Sequence, residues 1–302
     1  MSKTILVTGA TGKQGGAVIK ALINSGADIT ILSVTRDPSS ASAQALASTS
    51  PKIQLIKGDL NNPASIFSSA PEPIHAVFSI QTPTTATDNQ NASDTEYDQG
   101  AALIDAAIAA GSVKHFVQTS VDRHGARSAS NPTKVPHFIS KHKIEQHLLA
   151  RAPAAGMTWT IVQPVAFLEN FGSAQMGPAF AAMWKTTLGW ERPLQLVSAV
   201  DIGRVAAAAL VEEERYAGRM IPLAGEEIAL GRVREIYREV KGGAELPMVP
   251  DEVAAGIFEG SYDTKMMFEF FVEEGYGADV EALRREFPGM LDYKAWLAKE
   301  SA

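Results

Sequence analysis

Residues 4–16 read TILVTGATGKQGG. A short β-prone run leads straight into glycines at 9, 12 and 15, spaced G-x-x-G-x-x-G. Val18, Ala21 and Leu22 then share one face of a helix predicted over 15–25. In a strand–turn–helix of this kind each glycine has its own task. Gly9 permits the tight turn, Gly12 lets the backbone approach a pyrophosphate, and Gly15 lets helix and strand pack closely. The free N–H groups at the helix start, with their partial positive charge, suit an anionic group. A glycine-rich turn without a ligand is the plainer reading. The position of the turn at the head of further strand–helix units favours a dinucleotide, held by Gly9, Thr11, Gly12, Lys13, Gln14 and Gly15.

The alternation continues outward. Apolar runs at 29–35, 53–57, 75–80 and 115–119 read as strands buried on both faces. Helical stretches separate them, including an Ala-rich one at 92–110; the Ser/Ala-rich residues 39–50 fit a short helix better than a loop. Strands alternating with helices make βαβ units and a parallel sheet, and right-handed crossovers wind it on both faces. Beyond it come a helix at 136–151, a strand at 158–162, a short strand at 194–198, a helix at 200–211 and a strand at 220–223. From 231 onward the pattern is mostly helical. The fold class is therefore α/β: a doubly wound parallel Rossmann sheet with a smaller, mostly helical C-terminal lobe. No linker divides it, so 1–302 is read as one unit. Its core is at 1–160, and 161–302 is mainly a substrate or partner lobe that returns some strands to the sheet.

Composition removes several function classes. The 302 residues include no cysteine, which excludes disulfides, thiolate nucleophiles, zinc ribbons and iron–sulfur clusters. The net charge of −7 is uneven, +1 over residues 1–150 and −8 over 151–302. An acidic half argues against direct contact with nucleic acid. Apolar runs as short as 205–211 predict no membrane span, and the N-terminus lacks the apolar core of a signal peptide. A cytoplasmic protein is expected, with the nucleus as a second compartment. His137, His142 and His147 do not form a ligand spacing and no H-E-x-x-H occurs, so no metal is expected. The absence of G-x-S-x-G disfavours a hydrolase.

The end of the second strand selects the cofactor. An acid there binds a ribose 2′-hydroxyl, whereas an arginine accepts a 2′-phosphate. Here Val34-Thr35-Arg36-Asp37 presents the arginine first, and its guanidinium can fork onto a phosphate. Lys13 can add a second charge. Asp37 either pairs with Arg36 or takes the 2′-hydroxyl. NADP(H) is favoured, with NAD(H) as the lesser option.

Together with these residues, several stretches resemble the NmrA-like group of atypical short-chain dehydrogenases/reductases. They are VTGATGKQGG at 7–16, GDL at 58–60, HFVQTSV at 115–121, PHFISKHKIEQ at 136–146, TIVQPVAFLENF at 160–171, VSAVDIGRVAA at 197–207, and MFEFFVEEGYGADVEALRREFP at 267–288 with Trp296. The resemblance spans nearly the whole chain. It implies an NADP-binding fold shared by NADP-sensing transcriptional regulators and NADPH-dependent reductases. It further implies that Asp59 and Leu60 flank the adenine, and that Gln81 and Thr82 lie near the nicotinamide side. By the same resemblance Lys141 contacts the nicotinamide ribose, while residues 164–171, with Pro164 and Phe167, close over the cofactor.

Better-known members of that superfamily catalyse with Ser, Tyr and Lys, the last two as Tyr-x-x-x-Lys on one helix face. Lysine then holds the ribose and lowers the tyrosine pKa for proton transfer. Here the helix reads His137-Phe138-Ile139-Ser140-Lys141, with histidine in the tyrosine position, and Ser120 takes the serine position. His137 has three open roles: proton donor, substrate-orienting group, or a helix-start residue without chemistry. Tyr237 to Lys241 also matches Tyr-x-x-x-Lys but lies far along the chain, where a surface helix explains it. Phe167, Phe171, Met176, Phe180, Met183 and Trp184, and later Met266 to Phe271, either fill a core or line an apolar cleft. Two functions follow. One is an NADPH-dependent reductase of an apolar carbonyl, quinone or related small molecule, with Lys141, Ser120 and His137 at its centre. The other is a non-catalytic NADP(H) sensor that binds a regulatory protein partner.

Overall fold

The computed structural model describes residues 2–83 and 94–300. The first half alternates β1 (Lys3–Val7), α1 (Lys13–Asn24), β2 (Ile29–Thr35), α2 (Ala41–Ala47), β3 (Ile53–Lys57), α3 (Pro63–Ser69), β4 (Ala76–Ser79), α4 (Asp94–Ala110), β5 (His115–Thr119), α5 (Pro136–Arg151) and β6 (Thr158–Pro164). The expected start of α4 at 92 lies outside the described residues. Next come β7 (Ala166–Phe167), α6 (Met176–Leu188), β8 (Pro193–Val197), α7 (Ala199–Val211), α8 (Glu213–Tyr216), β9 (Arg219–Leu223) and β10 (Glu226–Ala229). Five helices complete the described chain: α9 (Leu230–Val240), α10 (Asp251–Gly260), α11 (Tyr262–Glu273), α12 (Val280–Glu286) and α13 (Tyr293–Glu300).

Seven strands form one parallel sheet in the order β3-β2-β1-β4-β5-β6-β9. The order reverses between β1 and β4, and such a switch point opens a crevice at the carboxyl ends of the strands. Side-chain alternation divides the core between the two faces. Ile5, Val7 and Phe78 pack on one face with Val18 and Leu22 of α1 and Val205 of α7. Leu6, Val77 and Phe116 pack on the other with Leu103 of α4 and Ile144 of α5. α1 and α7 approach so closely that a Cβ on Gly203 would lie 2.5 Å from the backbone of Ala17.

Helix starts follow local chemistry. Pro63 and Pro136 occupy the first turns of α3 and α5, where a missing N–H costs nothing. Ser198, Ser261 and Asp279 accept backbone N–H bonds at the starts of α7, α11 and α12. Helix α1 starts two residues before its expected position because extended Gly12 is its cap and accepts from Gly16 N at 2.9 Å.

A second, three-stranded sheet, β10-β8-β7, was not legible in the pattern. The expected strand near 194–198 exists as β8 but pairs antiparallel with β10 and parallel with β7. The β10 residues Glu-Glu-Ile-Ala have little strand preference, and pairing with β8 imposes their conformation. Around this sheet lies an aromatic core that includes Phe138, Phe180, Trp184, Phe268, Phe270 and Phe271. Of the residues with two sequence readings, Phe180, Met183, Trp184, Phe268, Phe270 and Phe271 are core, whereas Met176 is exposed.

Candidate functional site

The glycine loop sits at the switch point. Gly9 has φ +59°, and a Cβ there would strike Ile80 at 2.7 Å. A Cβ on Gly15 would lie 2.2 Å from the Gly9 carbonyl oxygen, so that position is closed to any side chain. Gly12 differs, since only the Gly9 oxygen lies near, at 3.2 Å, and its remaining surroundings are open. The protein itself demands glycine at 9 and 15; at 12 it leaves room for something outside the chain. Thr8 fastens β1 to β4, its Oγ1 accepting from Ile80 N at 2.8 Å and donating to the Ile80 carbonyl at 3.1 Å. The resulting cleft, about 870 Å³, is lined among others by Gly9, Thr11, Gly12, Arg36, Asp59, Leu60 and Thr82. That volume suits a nucleotide-sized ligand.

At the end of β2, Arg36 is exposed on the cleft wall, and among the described residues nothing pairs with its guanidinium. Asp37 turns to Ser39 instead, accepting from its backbone N at 2.9 Å and its Oγ at 2.6 Å. Those two bonds hold the Asp37 carboxyl below the usual range. An Arg36–Asp37 pair, one of the two sequence options, is therefore not formed.

Other expected contacts fall elsewhere. Lys13 Nζ donates to the Glu169 carbonyl at 3.2 Å, joining the start of α1 to the segment after β7 and not to Arg36. Gln14 accepts from Thr119 Oγ1 at 2.7 Å. Gln81 is buried, donating to Ser79 Oγ at 2.8 Å and accepting from Gln118 Nε2 at 3.1 Å. Thr82 lines the cleft, while Gln81, Lys13, Gln14, Gly15, Pro164 and Phe167 do not. The Pro164 carbonyl accepts from Asp122 N at 3.1 Å, and Phe167 packs against the core.

The three expected catalytic groups each meet a protein partner. Lys141 Nζ bonds Glu96 Oε1 at 2.8 Å; the glutamate is fully buried and among the described residues its Oε2 has no partner. Ser120 is buried beside Arg123, whose Nη1 donates to its Oγ at 3.4 Å. Arg123 and Glu145 form a fully buried pair, joined by His142 and Gln163. Burial alone would raise the Glu145 carboxyl, but the His142 hydrogen bond and the Arg123 charge outweigh it and hold it below the usual range. The His137 ring bonds Asp263 of α11 through Nδ1 at 2.7 Å.

Glu96, Arg123, Asp263 and Tyr276 went unnoticed in the sequence; Glu96 and Asp263 bond Lys141 and His137, 45 and 126 residues away along the chain. Tyr276 stands on a loop stitched to the end of β5, since Gly277 N donates to Asp122 Oδ2 at 2.7 Å. Its ring packs on Phe270 and Phe271, and among the described residues its hydroxyl has no hydrogen bond. Its deep setting, and secondly the Asp122 charge, push that hydroxyl well above its ordinary pKa. Of the Tyr237 to Lys241 match, Tyr237 lies on α9, an amphipathic helix that buries Leu230, Val233 and Ile236, and Lys241 is its C-cap. Asp201 sits in the first turn of α7 and is structural there, accepting from Leu291 N at 2.8 Å and from Arg204 at 3.0 Å. No group of three or more metal-ligating side chains occurs among the described residues, and no helix there is long and apolar enough to cross a membrane.

Comparison with known proteins agrees with this fold. The model of the NmrA-like family matches residues 1–293. An NmrA-like family domain-containing oxidoreductase of Penicillium ochrochloron is 28% identical over 351 aligned positions, covering 99% of this chain and 98% of that protein. The triphenylmethane reductase of Citrobacter sp., solved with NADP(H), superposes with a TM-score of 0.70 at 18% identity, covering 99% of this chain and all of that one. The negative transcriptional regulator NmrA, solved with NAD, superposes with a TM-score of 0.71 at 19% identity, covering 99% of this chain and 95% of that one. The same regulator has also been solved with NADP. The chain belongs to the NmrA-like family.

Proposed function

We propose that this protein is a cytoplasmic NADPH-dependent reductase of an apolar carbonyl, quinone or related small molecule. The observation that carries the reading is the unpaired Arg36 guanidinium on the wall of the glycine-loop cleft. An exposed cation with no partner among the described residues, lining the same cleft as the open Gly12, fits a dinucleotide bearing an extra phosphate. The gap at Gly12 and the α1 N-terminus fit the pyrophosphate. Bound there, reduced nicotinamide supplies a hydride. In this reading Arg36 holds the 2′-phosphate, Lys141 orients the ribose, Ser120 orients the acceptor oxygen and His137 delivers a proton. Relatives that carry the name oxidoreductase support the assignment.

One observation favours a second reading, a sensor that binds NADP(H) and a protein partner without turnover. Ser120, His137 and Lys141 are each already engaged by another side chain. The deciding experiment follows NADPH absorbance across a panel of aromatic aldehydes, ketones and quinones, after calorimetry has shown that NADPH binds. Protein-dependent oxidation with at least one acceptor supports the reductase. Tight binding with no oxidation across the panel supports the sensor.

A further inference from the structure

Resting on the reductase reading, we propose that His137 and Asp263 form a proton-donating dyad that replaces the missing tyrosine, with Asp263 as its positioning residue. His137 is the second residue of α5 and lies one helical turn before Lys141, on the same face. The aspartate comes from α11, more than a hundred residues later. Its carboxylate receives His137 Nδ1, 2.8 Å from Oδ1 and 2.7 Å from Oδ2, and its Oδ1 also accepts the His137 backbone N–H at 3.0 Å.

A carboxylate only accepts, so Nδ1 carries the proton and Nε2 is the free nitrogen of the neutral ring. Among the described residues nothing bonds Nε2. Capping α5 needs only the backbone bond; the second bond sets the ring's tautomer and orientation, the office of the acid in a nucleophile–base–acid triad. The dyad is braced as well, because Phe138 packs edge-on against both the His137 ring at 4.6 Å and Phe270 of α11 at 5.3 Å. The Asp263 side chain is 6% exposed and the His137 side chain 14%, so the acid is sheltered while the ring keeps an open edge. Burial of Asp263 works against its charge, but the His137 hydrogen bond prevails and keeps the carboxyl below its usual range. One turn further along this face of α5, Lys141 is paired with Glu96 of α4.

The step balances as follows. The hydride from NADPH bonds to the carbonyl carbon, the Nε2 proton of the imidazolium passes to the carbonyl oxygen, and the products are the alcohol and NADP⁺. The neutral imidazole then regains its proton from solvent.

The test uses the full chain with NADPH and an acceptor that turns over. His137→Gln should lower kcat about 100-fold or more. It should leave the NADPH Kd unchanged and abolish the limb on which rate falls with rising pH. Asp263→Asn should lower kcat and leave the NADPH Kd unchanged, because the ring loses the group that fixes its tautomer and orientation. Nitrogen-detected NMR of His137 gives a readout free of turnover and of folding defects in the variants. In the unmutated protein the neutral ring should carry its proton on Nδ1, and in Asp263→Asn that tautomer preference should weaken. A neutral ring protonated on Nε2 overturns the dyad. So does an unchanged kcat and pH profile in His137→Gln, which leaves Asp263 a helix clamp. If Tyr276→Phe removes the limb instead, Tyr276 is the donor. If the unmutated protein binds NADPH and reduces nothing, the reductase reading falls and the donor role with it.

Discussion

Arg36→Ala isolates the cofactor preference. The guanidinium has no partner among the described residues, so its removal strands no buried group and breaks no ion pair. What it removes is the attraction to a phosphate that NADPH has and NADH lacks. A hydrogen bond to a charged group contributes about 1.5–3 kcal/mol, tenfold to roughly a hundredfold in Kd. Two features of the site place the effect in the lower part of that range. Arg36 is exposed, so water screens the pair. Lys57 is close enough to act on the neighbouring Asp37 and keeps some positive field at the end of β2 when Arg36 is gone. The variant should therefore bind NADPH about tenfold to thirtyfold more weakly and bind NADH unchanged. Raising the salt concentration should narrow the gap in the unmutated protein, because exposed charges are screened over roughly 8 Å at physiological ionic strength. Isothermal titration of both cofactors into both proteins measures all four constants. Equal NADPH and NADH affinities in the unmutated protein, or a gap that survives Arg36→Ala, would refute the argument.

Three further outcomes are expected. Gly12→Val places a branched side chain in the open part of the glycine loop, so cofactor binding should fall sharply while the far-UV circular dichroism spectrum barely changes; undiminished affinity would mean the loop is only a turn. Arg123→Met leaves Glu145 buried and unpaired and should cost about 3–5 kcal/mol in urea unfolding, whereas a cost under about 1 kcal/mol, as for exposed pairs, would show that the network is dispensable. Burial lowers the His115 pKa to about 4, so below about pH 6.5 the unfolded chain binds a proton that the folded one refuses. Stability should then fall as pH drops through that window, by up to about 1.4 kcal/mol per unit from this one group, and His115→Gln should flatten the dependence.

What the sequence revealed was local. The glycine spacing, the apolar runs of β1 to β5 and the Pro136 start of α5 each depend on a few neighbouring residues, and the structure has them where the pattern put them. The β7–β8–β10 sheet was hidden because Glu226 and Glu227 form a strand only through their pairing with β8. The candidate site divides in the same way. Gly9, Gly12 and Arg36 announced themselves by spacing and position at a strand end. Glu96 at Lys141, Glu145 at Arg123 and Asp263 at His137 are set by tertiary packing, and nothing in the local sequence marks them. Gln81 shows the converse: adjacent to Thr82 in the chain, it turns into the core to bond Ser79 and Gln118.

Hydride transfer from NADPH to a small apolar acceptor can be followed by isotope transfer. The protein is incubated with NADPH deuterated at the transferable nicotinamide position and an aromatic aldehyde or ketone, and the product is analysed by mass spectrometry. The product should be an alcohol carrying one deuterium on the reduced carbon. Unlabelled product, or cofactor that binds tightly while the acceptor is recovered unchanged across the panel, would contradict it.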